Sequence, residues 1–181
     1  MAQQRASGIG HLPAFDDESG DLNTVVEAVK GSRNKFKVDP RRSLFIHDSV
    51  LPAGATFPFD FGFVPSTEAD DGDPLDVLIL MDEPAFVGAV IPCRLVGAIE
   101  AEQTEKDGET MRNDRLIAVA ANSQLYADVK SFADLPSAIV DAIEHFWISY
   151  NETKGKQFTP IARAGRRKAQ SLVDAAIKSK G

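Results

Sequence analysis

The sequence predicts an α+β protein: a small β-barrel formed early in the chain, with helices at the end. Three observations point there. Short apolar alternations broken by turn residues recur from residue 23 to residue 121. The apolar period then changes to that of a helix in two C-terminal segments. Finally, 181 residues, of which 43% are hydrophobic and 26% charged, suit one folded unit with a sizeable core.

Residues 1–20 are rich in Gln, Ser, Gly and Asp and lack periodicity, so they read as a mobile N-terminal arm. Residues 21–181 read as a single domain. NTVVEAV (23–29) is a strand, and KGSRN after it is a turn. KFKVD alternates, with Phe36 and Val38 on one face. DPRR is a second turn, and SLFIHD a further short strand. Residues 51–65 hold three prolines, which exclude a helix. That stretch reads as a strand-and-loop wall across which Phe57, Phe59, Phe61 and Phe63 alternate. VLILM, residues 89–102 and RLIAVAA supply three more strands, and residues 102–114 a charged loop. A helix follows in DLPSAIVDAIEHFWISY, with Asp134 as expected N-cap and Ile139, Ile143, Phe146, Trp147 and Tyr150 on one face. The last helix, near residues 166–178, places Leu172, Val173, Ala176 and Ile177 together.

A net charge of −7 argues against a general nucleic-acid binder, because phosphate backbones demand a basic surface. An acidic protein still binds phosphate where a metal supplies the positive charge. The lone cysteine, Cys93, excludes an internal disulfide and suits a reducing compartment. No apolar run is long enough to span a bilayer, and no secretory segment is apparent, so a soluble cytoplasmic protein without membrane partners is the expectation. His11, His47 and His145 have no metal-like spacing, and Trp147 falls on a core face.

DDGDPLDVLIL (70–80) carries the chemistry. Asp71, Asp73 and Asp76 have the spacing D-x-D-x-x-D, with Gly72 and Pro74 shaping the turn. Crowded carboxylates repel unless protonated or bound to a cation. Oxygen-only ligands suit Mg²⁺, Mn²⁺ or Ca²⁺. A solvated Asp-rich turn is the competing reading. The position of Asp76 at the head of an apolar strand weighs against it, since a carboxylate there is costly without a partner.

Together with VVEAVKGSRNKFKVD, FPFDFGFVP, RLIAV and HFWISYNETKGKQF in the same order, this loop resembles the signature of the soluble metal-dependent inorganic pyrophosphatases. The resemblance covers roughly residues 25–158. It implies a five-stranded, OB-like closed β-barrel with flanking strands and two C-terminal helices. It also implies a homo-oligomer, Mg²⁺ as cofactor with Mn²⁺ as a possible substitute, and pyrophosphate as substrate. By the same resemblance, Asp71, Asp73, Asp76 and Asp107 match metal ligands, and Asp73 is also placed to orient or deprotonate the attacking water. Glu27 matches a glutamate near the metals. Lys35, Arg115 and Tyr150 match phosphate-gripping residues, joined by Lys37.

The chain also departs from the family pattern. Lys37 stands where a glutamate is usual, Ser49 where an arginine is, Phe57 and Phe61 where tyrosines are, and Asn151 where a lysine is. Asn113 stands for the second aspartate of the later metal loop, although adjacent Asp114 would restore it with a one-residue shift. Fewer tightly held metals are expected, because a neutral amide is a weaker ligand than a carboxylate. Arg33, Lys37, Arg41, Arg42, Lys154 and Lys156 are available to compensate for the thinner phosphate grip. Two alternatives to pyrophosphate hydrolysis remain: hydrolysis of a larger phosphoanhydride or phosphate ester, and a catalytically silent phosphate- or nucleotide-binding regulator.

Overall fold

A computed structural model describes residues 8–9, 12–39 and 41–179. Of the expected arm, residues 1–7, 10 and 11 lie outside that range. Among the described residues the elements are β1 (Leu22–Ala28), β2 (Asn34–Asp39), β3 (Leu44–Val50), β4 (Asp60–Phe63), β5 (Asp76–Leu80), β6 (Val90–Thr104), β7 (Thr110–Arg112), β8 (Arg115–Ala120), α1 (Ser137–Glu152), β9 (Gln157–Gly165) and α2 (Arg166–Ser179).

Five strands close on themselves in the order β1-β4-β5-β8-β6, because β6 pairs back to β1. This is the expected small barrel. Four of its five pairings are antiparallel, and β5–β8 is parallel. The 15-residue β6 also carries β7 and β9 as flanking strands. It bends at two register shifts, one between Leu95 and Gly97 and one between Glu100 and Ala101. β2 and β3 form a separate two-stranded ribbon.

Alternation along the barrel strands feeds two cores. Leu78, Leu80, Ile117 and Val119 pack with Phe57, Phe61 and the α1 residues Ile143, Trp147 and Tyr150. The intervening Val77, Ile79, Leu116 and Ala118 pack with Ala169, Val173 and Ala176 of α2. The phenylalanines are wall and core, as expected: Phe57 and Phe61 stack at 6.0 Å, and Phe61 meets Trp147 edge-on at 5.0 Å. The same parity positions the functional groups. Asp76 shares a face with Leu78 and Leu80, Arg115 with Ile117 and Val119, and Gln103 with Ile99 and Ala101. All three therefore lie at the end of the α1-side core.

Three local expectations need correction. The helix starts at Ser137, and Asp134 belongs to a preceding 3-10 turn, where its carboxylate accepts from the Ser131 N–H and hydroxyl. The cause is Pro136, which holds Leu135 extended at φ −80°, ψ 137°. The charged loop at 102–114 is a hairpin: β6 runs on to Thr104 and β7 returns, pairing Thr104 with Thr110. Strand β9 shows almost no apolar alternation and contains Pro160, so periodicity does not reveal it. At the N-terminal side, Ala14 is buried and Phe15 bridges to Leu22.

Candidate active site

A cavity of about 290 Å³ opens at the end of the α1-side core. Strand β1 brings Glu27 to it, β2 brings Lys35 and Lys37, and the β4–β5 loop brings Asp71 and Asp73. Asp76 comes from the start of β5, Arg115 from the start of β8, and Tyr150 from the end of α1. These residues lie far apart in sequence, and the barrel gathers them into one wall.

The acidic loop is held by its own backbone. Gly72 adopts φ +81°, which an L side chain resists. The Asp73 N–H donates to Oδ1 of Asp71 at 3.1 Å, and Ala69 N–H donates to the Asp73 carbonyl at 2.8 Å. At the loop's base, the Thr67 hydroxyl accepts from Leu75 N–H at 3.0 Å. Asp70 lines a different surface depression.

Five carboxylates and five cationic side chains line the cavity, so its net charge is near zero before anything binds. Lys37 Nζ donates to Asp73 Oδ2 at 3.0 Å, with both groups largely exposed. Arg115 reaches Asp76 Oδ2 at 2.5 Å and is itself almost fully buried. Lys35 lies 3.8 Å from Glu27, an ion pair too long for a hydrogen bond, and its ammonium sits 5.0 Å over the Phe61 ring. Burial pushes the Glu27 carboxyl up to about 7, with Lys35 opposing and Asp76 reinforcing. Burial works against the ammonium of Lys35, yet Asp76, Tyr150 and Glu27 leave its pKa above the ordinary value. Asp71 has no ion-pair partner among the described residues. Partial burial and the charges of Asp76 and Asp73 raise its pKa, against a hydrogen bond from the Asp73 N–H.

Asp107 is not brought to the cavity. It sits in the turn between β6 and β7, where its Oδ1 accepts from the Glu109 N–H at 3.1 Å. The hairpin register fixes this, since Thr104 pairs with Thr110 and residues between them project past the sheet. The ambiguity between Asn113 and Asp114 resolves as well. Asn113 is buried in the cavity wall, whereas Asp114 pairs with Arg112 on the other side and accepts from Ala101 N–H.

Among the compensating cations, Lys37, Lys154 and Lys156 line the cavity. Lys154 Nζ donates to the Tyr150 hydroxyl, and Lys156 pairs with Glu105 at 2.8 Å. Arg33 instead donates twice to the Leu51 carbonyl, and Arg42 lies against Asp39. Asn151 turns inward and donates to the Trp147 carbonyl. Sequence reasoning missed two wall residues, Asp48 and Gln103. Gln103 left a signal: a polar residue at the inward position after Ile99 and Ala101. Asp48 left none.

Oxygen is the only donor the acidic loop offers, and Asp71 is a rim carboxylate with no cation paired to it among the described residues. Both features fit a hard divalent metal. Among the described residues, no three His, Cys, Asp or Glu side chains converge tightly enough to hold a cation as they stand. The reason is visible: Asp73 is turned to Lys37 and Asp76 to Arg115.

Residues 24–180 match the family model described as inorganic pyrophosphatase. The chain is 36% identical over 171 residues to an inorganic pyrophosphatase from a Nostoc species, covering 94% of this chain and 98% of that one. It is 33% identical over 163 residues to the Thermus thermophilus inorganic pyrophosphatase, covering 90% of each. The crystal structure of an inorganic pyrophosphatase from Thermus thermophilus superposes with a TM-score of 0.84 at 32% identity, over 96% of this chain and 99% of that one. A structure from Anaplasma phagocytophilum, described as an inorganic phosphatase, gives 0.83 at 30% identity, over 93% and 98%.

Proposed function

The chain belongs to the inorganic pyrophosphatase family, and from that premise we propose that its cavity hydrolyses pyrophosphate to two phosphates with a metal-activated water. The family is metal-dependent, and Mg²⁺, with Mn²⁺ as substitute, is the metal assigned to this site. Asp71 and Asp73 are the residues that would hold it, joined by Asp76 only where Arg115 releases that carboxylate. When bound, the metal supplies positive charge against the substrate oxygens and acidifies water.

The chain's own side chains do the rest. Asp73, at the exposed rim, orients the attacking water and accepts its proton on a carboxylate oxygen. Lys37 is its present partner and is free to swing onto a phosphate oxygen, releasing that oxygen of Asp73. Glu27, with a carboxyl near 7, is poised to hold or yield a proton around neutral pH. Lys35, Arg115, Tyr150 and Lys154 bind the phosphate oxygens and stabilise the leaving group. The observation that carries the reading is the convergence of these groups, from separate segments, on one cavity.

The test is phosphate release from pyrophosphate and Mg²⁺, read with malachite green. Release that is abolished by EDTA and reduced at least 100-fold in Asp73→Asn supports the proposal. Release no greater than that of Asp73→Asn refutes it. One observation favours a second reading, a silent phosphate-binding regulator: Asp73, Asp76 and Glu27 already have cations beside them. Binding of pyrophosphate without turnover would support that reading. A homo-oligomer, a cytoplasmic location and a single catalytic domain over residues 21–181 belong to the same proposal. No helix among the described residues is long and apolar enough to cross a membrane.

A further inference from the structure

The two sides of the cavity are built differently. On one side, Asn113 Nδ2 donates to Gln103 Oε1 at 3.0 Å, and both amides are buried. Asn113 Oδ1 accepts from the guanidinium of Arg115, which continues to Asp76 Oδ2. The result is a continuous chain from Gln103 through Asn113 and Arg115 to Asp76. Every oxygen along it is either a neutral amide or a carboxylate already neutralised. Arg115 is also fixed in place. It is 4% exposed, with its guanidinium 4.6 Å from the Trp147 ring and 5.4 Å from Phe158. A divalent cation is held more weakly by neutral amide oxygens than by carboxylates, and a rigid guanidinium repels it.

The other side is the acidic loop. Asp71 has no ion-pair partner there, and Lys37, the partner of Asp73, is 47% exposed and can move away. We propose that the resting cavity binds one divalent cation, on the Asp71–Asp73 side, and that Arg115 with the Gln103–Asn113 amide pair replaces a second cation with a permanent organic one. Pyrophosphate then meets metal at one end and fixed side-chain cations at the other. The inference deepens the pyrophosphatase reading and rests on it for the identity of the substrate.

The test uses the full chain without substrate. Mn²⁺ is titrated in and free Mn²⁺ is followed by electron paramagnetic resonance. One equivalent is expected for the wild type and fewer than one for Asp71→Asn. In Asn113→Asp alone the network carries one net negative charge, which the Arg115 guanidinium still contacts, and the count stays at one. In Gln103→Glu with Asn113→Asp, two net negative charges stand together and a second equivalent appears. Zero, two or more equivalents in the wild type overturn the proposal. So does a double variant with native circular dichroism that still binds one, or a second equivalent from Asn113→Asp alone. Phosphate release on the same samples separates the two ideas. One equivalent without turnover keeps this inference and sinks the pyrophosphatase reading, while turnover with two or more does the reverse.

Discussion

Replacing Arg115 by methionine should destabilise the metal-free protein by about 2 kcal/mol, and magnesium should restore much of that loss. The magnitude follows from three terms. Breaking a buried ion pair from one side costs about 3–5 kcal/mol. The Asp76 side chain is 24% exposed, so the stranded carboxylate recovers some hydration and the low end applies. Methionine keeps the apolar contact with Trp147 and Phe158. It also removes Arg115 Nε, a buried donor with no hydrogen-bond partner among the described residues, whose burial carries a penalty of about 1–3 kcal/mol, and part of that gain is offset by the donor lost to Asn113 Oδ1. A net of about 2 kcal/mol corresponds to a fall in Tm of roughly 4–8 °C for a chain of this length. Mg²⁺ at a hundred times its dissociation constant adds about 2.7 kcal/mol to any state that binds it. The variant has Asp76 freed as a ligand, so its gain should exceed that of the wild type. Urea denaturation in EDTA and in Mg²⁺, followed by circular dichroism, reads both quantities. A loss below about 0.5 kcal/mol, or equal magnesium gains in both proteins, would refute the role given to Arg115.

Three further outcomes are expected. Glu27, pushed up to about 7, is protonated in the folded state over a range where the unfolded chain is ionised. Its contribution to stability is therefore intact below about pH 4.5 and is lost as pH rises towards 7, by roughly 2–3 kcal/mol. Glu27→Gln should flatten that slope in EDTA, and parallel pH–stability curves for the two proteins would contradict it. At Gly62 an added Cβ would lie 1.9 Å from the Val25 carbonyl oxygen, so Gly62→Ala must part β1 from β4. That should cost at least about 3 kcal/mol or prevent folding, and a Tm within 2 °C of wild type, less than about 1 kcal/mol, would be inconsistent with the strand register. Asp107→Asn should leave pyrophosphate turnover and Mn²⁺ binding unchanged within about twofold, less than the effect of about 1 kcal/mol. A tenfold loss would return Asp107 to the metal site.

Much of this architecture was legible because barrel strands alternate strongly. The stretches VVEA, VLIL and LIAV announce buried strands, and the switch to helical period marks α1 and α2. What stayed hidden depends on pairing between distant segments. β9 has a largely exposed pattern and gains its place only by lying along β6. Asp107 and Asn113 look equally eligible in a loop, and only the hairpin register sends one out to a turn and the other into the wall. Asp134 satisfies the local rule for a helix cap, but Pro136 moves the helix start beyond it. The acidic loop was readable because its ligands are close in sequence. Its partners Lys37 and Arg115 were expected near the substrate, yet their attachment to Asp73 and Asp76 is a tertiary fact.

The protein has a single tryptophan, and that indole forms part of the cavity wall with the Arg115 guanidinium over its face. Nature has thus placed the only strong ultraviolet fluorophore of the chain beside the charge that balances Asp76. A cation or a phosphate entering the cavity that this indole lines changes the electric field across the ring. Intrinsic emission should therefore report occupancy of the site in an unlabelled sample, in real time, with no background from other tryptophans.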